Sequence, residues 1–344
     1  MIVQEEELMI RLVKYMWKMN SLIMIKITTF ARMTRGRFLM DGMHPFIQLL
    51  YLTVMSITFF SLFTLLGMYL VKPLFGITTI DVVTQNALTN PEAVALNPNQ
   101  VNALKLLQFM ASIGAFLIPA ILFAFMKFPG GDFLRLNTRL RLPLILLAII
   151  IFSIVAPFIS FTYELNQGLN LPGGFNELEK VMRDAEDAAE KLTSLFLKMP
   201  VPSDLFINVI LIAILPAISE ELLFRGCIQQ VMKEWWKNIH VAIWVTAVVF
   251  SFIHFEFYGF LPRLLLGALL GYLFYWSGNL WVPIIAHALN NGGQVVLAYL
   301  HEHGVIQFDI MADESLPAYI IVISTLAAIA FLFLFRRISD QRKF

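Results

Sequence analysis

Two adjacent carboxylates and a guanidinium, Glu220, Glu221 and Arg225, stand inside an apolar run that opens near Leu205 and continues to about Met232. A charged side chain in a membrane helix costs about 2.5–3.5 kcal/mol on insertion scales, so charge at this depth points to function. Helical geometry sorts the two acids. Glu221 and Arg225 stand in an i,i+4 relation with the acid on the N-terminal side, the better orientation for a helix ion pair. Glu220 lies about 100° further round the helix, with no basic residue within a turn. Glu221 is therefore expected to be neutralised by Arg225, leaving Glu220 to face another partner. The competing reading makes all three a structural knot that holds two helices together.

Further polar residues recur at helical spacing in two later apolar runs. Phe250 and His254 share one helix face, and so do His287 and Asn291, with Gln294 another turn along. A lone histidine in a membrane helix is usually a satisfied packing residue. Two histidines, an asparagine and a spare carboxylate on three neighbouring helices form a constellation, and lipid cannot satisfy them. They must face the bundle interior or a wet cavity. Glu220, His254 and His287 also make a Glu-plus-two-His set, a ligand type used by catalytic zinc, although no His-Glu-x-x-His run is present. No serine or cysteine with an adjacent base stands out as a nucleophile. Cys227, the single cysteine, reads as a small buried hydrophobe and excludes an intrachain disulfide.

The elements that must position these groups are membrane spans. With 58% hydrophobic and only 14% charged residues and a mean hydropathy of +0.74, the chain reads as an all-α, polytopic transmembrane helix bundle. A net charge of +1, segregated between loops, gives no footprint for nucleic acid. Taking about 20 apolar residues per crossing, eight spans are expected near 46–71, 102–126, 142–163, 204–230, 239–257, 262–276, 281–300 and 317–335. Basic residues gather in alternate loops: Arg32, Arg35 and Arg37, then Lys127, Arg135, Arg139 and Arg141, then Lys233 and Lys237, and finally Arg336, Arg337, Arg342 and Lys343. The positive-inside rule then puts both termini in the cytoplasm. The first residues read as no cleavable signal. Arg11, Lys14 and Lys18 on one stripe suggest an N-terminal helix lying in the membrane interface. Between the third and fourth spans, Leu178, Val181, Met182, Ala185, Ala189, Leu192 and Phe196 recur with a helical period. Asn176 is expected to cap this extracytoplasmic amphipathic helix, with Glu179 at the capping-box position and Pro200 as the stop. His301-Glu302-His303 reads as an incidental surface cluster. The chain divides into an interfacial segment (1–43), three N-terminal spans (44–163), the outer loop (164–203), a core that carries the polar constellation (204–300), and a last span with a basic tail (301–344).

Glu-Glu-x-x-x-Arg at 220–225, Phe-x-x-x-His at 250–254 and His-x-x-x-Asn at 287–291, in this order on successive spans, resemble the CAAX-protease and bacteriocin-processing family of intramembrane proteases, also called the type II CAAX-prenyl endopeptidase or Abi family. The resemblance covers roughly residues 204–300. It implies that Glu220, with His254, activates a water for attack on a peptide carbonyl. It further implies that His287 and Asn291 hold the oxyanion, that Glu221 and Arg225 form the supporting pair, and that Phe250 supports the site. No cofactor is then required, and zinc held by Glu220, His254 and His287 is the alternative. The expected partners are a peptide or lipidated-peptide substrate and membrane lipid, in a bacterial plasma membrane. Two other classes compete with this assignment. A non-catalytic scaffold or immunity-type protein would bind a peptide in the same cavity. A transporter would use Glu220 as a proton relay, which leaves His287 and Asn291 without a joint role.

Overall fold

In the computed structural model, the apolar runs form helices at each of the eight expected places. Residues 39–40, 42–95, 97–128, 131–169, 171–307 and 316–340 are described. The helices are α1 (Pro45–Phe75), α2 (Ile80–Thr89), α3 (Pro91–Ala95), α4 (Pro98–Lys127), α5 (Leu142–Gln167), α6 (Asn176–Leu197), α7 (Pro202–Trp236), α8 (Ile239–Phe252), α9 (Phe260–Ser277), α10 (Trp281–Glu302) and α11 (Ala318–Asp340). No strand occurs among the described residues. The chain is an integral membrane protein of the helical-bundle class. Among the described residues six helices, α1, α4, α5, α7, α9 and α11, are long and apolar enough to cross a bilayer. The other two expected spans differ for identifiable reasons. Helix α8 stops at Phe252 and continues as an irregular segment. Helix α10 has the length but carries His287, Asn290, Asn291 and Gln294.

Among the described residues, three larger apolar cores stand beside a small fourth one, in which Ile243 and Ala247 of α8 meet Ala268 of α9. One joins Phe123 of α4 to Leu222, Phe224 and Val231 of α7, Phe250 of α8 and Phe274 of α9. A second joins α5, α9, α10 and α11 through Ile151, Leu270, Leu273, Ala286 and Phe335. A third seats α6 on α2–α4, with Leu195 and Phe196 against Val83, Ala87, Val101 and Leu104. Cys227 is fully buried in the first core, its thiol directed at the Ala120 carbonyl. Leu50, Val54 and Leu65 of α1 and Val322, Leu326 and Phe333 of α11 project outward from the bundle. In a membrane protein this is the lipid-facing belt.

Hydrogen bonds tie the loops into two opposite ends. At one end the segment after α4 meets the α9–α10 turn: Leu280 N–H donates to Arg135 O, Asn279 Nδ2 to Thr138 O and Trp281 Nε1 to Leu136 O. Arg141 reaches Ile338 O of α11, and Lys127 pairs with Glu234 of α7 at 2.5 Å. This end gathers the basic loops. At the other end the α5–α7 segment meets the α8–α9 loop, and Met199 N–H donates to Glu302 Oε2.

Three local expectations change. The N-cap of α6 is Phe175, not Asn176, and no side chain caps it; Glu179 instead accepts from Leu171 N–H and from Arg183. The longer-range partners outcompete the local box. Leu178 and Val181 stay exposed, so only the C-terminal half of the expected apolar stripe packs on protein. Glu302 is not incidental, because it anchors Met199. The expected interfacial helix before residue 39 lies outside the described residues.

A close approach of α4 to α1 is made at Gly114, in a π-helical turn of α4 at Ile113–Leu117. A Cβ there would sit 2.5 Å from the Phe59 carbonyl oxygen and 2.8 Å from Phe63 Cβ of α1. Gly114→Ala should therefore cost about 1–3 kcal/mol by overpacking, read as a lowered Tm of the detergent-solubilised protein. Gly293→Ala, whose added methyl meets nothing within 4 Å, should not lower it.

Candidate active site

Helix α7 delivers the acids, and two departures from α-geometry shape it. Val209–Ile214 and Leu222–Ile228 are π-helical, on either side of the α-helical turn Leu215–Glu221. Such widened turns often mark functional sites. Pro216 has no N–H to give to the Ile212 carbonyl four residues before it. Asn291 of α10 reaches that same carbonyl through Nδ2, at 3.4 Å.

The expected ion pair forms in full burial. Arg225 NH1 donates to Glu221 Oε1 at 2.6 Å, and both side chains are 0% exposed as residues. Arg225 NH2 donates to the Gly267 carbonyl of α9 at 2.9 Å, and its guanidinium lies 4.8 Å from the centre of the Phe250 ring. The same Glu221 oxygen also meets His287 Nδ1 of α10 at 2.9 Å. This second bond was not visible in the sequence. Glu221 neutralises Arg225 and also orients an imidazole, so it supports the site more directly than a structural pair would. Facing a carboxylate, Nδ1 carries the proton.

Glu220 is the spare acid. It is buried, at 9% exposure, and among the described residues its carboxylate accepts no hydrogen bond. The ionisable side chain facing it is His287, whose Nε2 lies 4.0 Å from Glu220 Oε2. One imidazole thus faces both acids, Nδ1 on Glu221 and Nε2 toward Glu220. His254 sits two residues past the end of α8. Its Nδ1 lies 2.8 Å from the Phe250 carbonyl, an acceptor only, so the proton is on Nδ1 and Nε2 is left as an acceptor. Phe250 is the hub: its ring packs edge-on at 5.0 Å from Phe224 and 5.0 Å from His254, and at 6.4 Å from His287. Asn291, a turn beyond His287, has its carboxamide oxygen engaged by Asn290 Nδ2 at 3.2 Å, which turns its donor end to α7. Pro216 and Asn290 were not singled out in the sequence. The missing N–H of Pro216 was a usable signal, but its partner on α10 was not.

Glu220, His254 and His287 do not converge as metal ligands, and no other three His, Cys, Asp or Glu side chains do so among the described residues. His287 and His254 each use Nδ1 locally, on Glu221 and on the Phe250 carbonyl, which leaves both Nε2 atoms facing the site.

Two cavities flank the site. A polar one of about 470 Å³, at the end away from the basic loops, is lined by Glu186 and Glu190 of α6, Glu256, Arg263 of α9, and Asn291 and Gln294 of α10. An apolar groove of about 650 Å³ runs between α1, α4, α7 and α8, past Phe60, Phe116, Phe224, Val249 and Ile253. Phe224 and Ile253, on its wall, adjoin Phe250 and His254.

Comparison with known proteins agrees with the three motifs. The family described as type II CAAX prenyl endopeptidase Rce1-like matches residues 202–293, which hold every residue named above as a candidate for chemistry. A curated relative, "Uncharacterized protein YpbD" of Bacillus subtilis (strain 168), is 32% identical over 84 residues, 23% of this chain. The match spans 40% of that relative's length. No solved structure matches significantly.

Removing one partner of a buried ion pair strands the other. Arg225→Ala should cost about 3–5 kcal/mol, seen as a large loss of Tm. Arg225→Lys should recover only part of it, because a single ammonium cannot serve Glu221 and Gly267 O in the same planar fork.

Proposed function

We propose that this integral membrane protein, whose residues 202–293 match the type II CAAX prenyl endopeptidase Rce1-like family, is an intramembrane endopeptidase acting on a membrane-associated peptide. The observation that carries the reading is Glu220: buried, without a hydrogen-bond partner among the described residues, and 4.0 Å from an imidazole, while its neighbour Glu221 takes up the arginine. A structural knot has no need of a second acid at that depth.

In the mechanism we assign, Glu220 is the general base and His254, accepting through Nε2, shares the activation of one water. The water oxygen attacks the scissile carbonyl carbon as its proton passes to Glu220. His287 acts as an imidazolium, Nδ1–H on Glu221 and Nε2–H toward the developing oxyanion. Asn291 exchanges its long bond to Ile212 O for that oxyanion. The tetrahedral intermediate collapses as the C–N bond breaks, and the proton held by Glu220 goes to the leaving amine. Each oxyanion donor in such a shielded site contributes about 2.7–4 kcal/mol. The polar cavity suits the peptide, and the apolar groove suits a lipid chain or an apolar segment attached to it. The basic loops at one end support a cytoplasmic placement of that end and of both termini, and the Bacillus relative supports a bacterial plasma membrane. The polar cavity then opens on the extracytoplasmic side.

The deciding experiment compares membrane and secreted peptides between cells carrying the wild type and Glu220→Gln. Peptides ending at a common bond should vanish in the variant; identical peptide profiles would reject the protease. On such a substrate, Glu220→Gln and His254→Ala should abolish cleavage without lowering Tm, while Asn291→Ala should slow it roughly 10²–10³-fold. Overnight dialysis against a zinc chelator should leave the rate unchanged, and a loss restored by added zinc would put the metal back in the mechanism.

A further inference from the structure

His254 lies beyond the helix that should hold it. The backbone ladder of α8 runs out at Phe252, and the His254 N–H reaches only Ser251 O at 3.4 Å. The next residue, Phe255, has φ 55°, in the left-handed region that a bulky side chain rarely adopts. Such a conformation persists only where the surroundings over-determine it. The source of that constraint lies largely outside residues 202–293.

The loop from 253 to 259 is tied at four points, one of them Glu256, whose carbonyl and carboxylate both accept from Arg263 of α9. Ser251 Oγ donates to Phe260 O at 2.6 Å, drawing its two ends together. Asn166, buried at the end of α5, uses both ends of its carboxamide: Nδ2 donates to Phe257 O at 2.7 Å and Oδ1 accepts from Leu261 N–H at 3.0 Å. Helix α6 grips Tyr258, which is 2% exposed. Glu186 Oε2 accepts the Tyr258 N–H at 2.8 Å, Glu179 Oε1 faces the Tyr258 hydroxyl at 3.3 Å, and the Arg183 guanidinium lies 4.2 Å from the ring centre.

Glu179, Arg183 and Glu186 stand at i, i+4 and i+7, one stripe of α6. A different stripe, Leu192, Leu195 and Phe196, is seated on α2–α4. The helix is thus fixed to the bundle independently of the loop it holds. Arg183, with the Leu171 N–H, holds the Glu179 carboxyl below the usual carboxylate range, whereas burial pushes Glu186 above it. A merely solvated acidic face would not half-bury a carboxylate against a backbone N–H.

We propose that Glu186 and Glu179 of α6, with Asn166 of α5, are positioning residues for His254, clamping the loop that begins at this histidine so that its Nε2 is held at the catalytic water. The proposal rests on the role given to His254 above, yet its test needs no proteolysis. The full-length protein is carbethoxylated with diethyl pyrocarbonate, and modification of His254 and His287 is followed separately by mass spectrometry. Hydrogen–deuterium exchange is read over 253–261 in the same samples. In Glu186→Ala and in Asn166→Ala, His254 should react roughly five- to tenfold faster and the loop amides should exchange faster, the size expected from one or two lost hydrogen bonds. His287, pinned by Glu221, should be unchanged. Glu186→Gln retains an acceptor oxygen for the Tyr258 N–H and should return His254 to within about twofold of wild type. Unchanged His254 reactivity in both alanine variants would overturn the clamp. So would His254 and His287 rising together, which signals general loosening, or Glu186→Gln behaving like Glu186→Ala. Failure of the peptide comparison above would remove the protease while leaving this result intact, and the reverse also holds.

Discussion

The site is built round one buried charge. Arg225 has no water to turn to, so each of its contacts is made by a particular helix: Glu221 on its own, the Gly267 carbonyl on α9, and the Phe250 ring on α8. Glu221 extends the set to α10 through His287. Desolvating an ion pair is costly, and the cost is offset only where the geometry is good; Glu221 Oε1 and the two terminal nitrogens of Arg225 make the contacts, while Arg225 Nε and Glu221 Oε2 find no hydrogen-bond partner among the described residues. That requirement aligns four helices about a single point. The imidazole of His287 is aimed as a by-product of satisfying Glu221. Glu220, one residue away, accepts no hydrogen bond among the described residues and has His287 Nε2 4.0 Å from its carboxyl oxygen.

The legible parts of this site were the local ones. The i,i+4 spacing of Glu221 and Arg225 fixes their pairing, and Glu220 emerges as the odd acid by elimination. That His254, His287 and Asn291 turn inward follows from what lipid cannot solvate. The choice of acid for His287 was not legible, because it depends on the register of α10 against α7. Nor was the partner of the Ile212 carbonyl: Pro216 announces an unpaired acceptor, but Asn291 arrives from a distant helix. On α6 the local signals misled. Asn176 and Glu179 look like a capping box, yet Glu179 is drawn to Leu171, Arg183 and Tyr258. Glu186, which reads as a solvated acid, is half-buried on a backbone N–H. Helix α10 fell below the hydropathy of a span for the reason that makes it interesting, since its polar face serves the interior.

The environments on the two sides of the site contrast sharply. Toward the end bearing α6 the walls carry Glu186, Glu190, Glu256 and Arg263; toward α1 they carry Phe60, Phe116 and Val249. Phe224 and Phe250, packed edge to face at 5.0 Å, separate the two. Phe250 in turn packs against His254 and His287, so an aromatic pair stands between that groove and the imidazoles. Polar chemistry in a bilayer needs such a boundary as much as it needs the reacting groups.

Cys227 carries an unplanned convenience. The chain's single thiol is sealed in the core against α4 and does not meet solvent. The natural protein is therefore already a silent background for thiol-reactive spin labels and fluorophores. A cysteine placed on the rim of either cavity would report alone, and distances across the bundle could be followed without first stripping a native residue out of its packing.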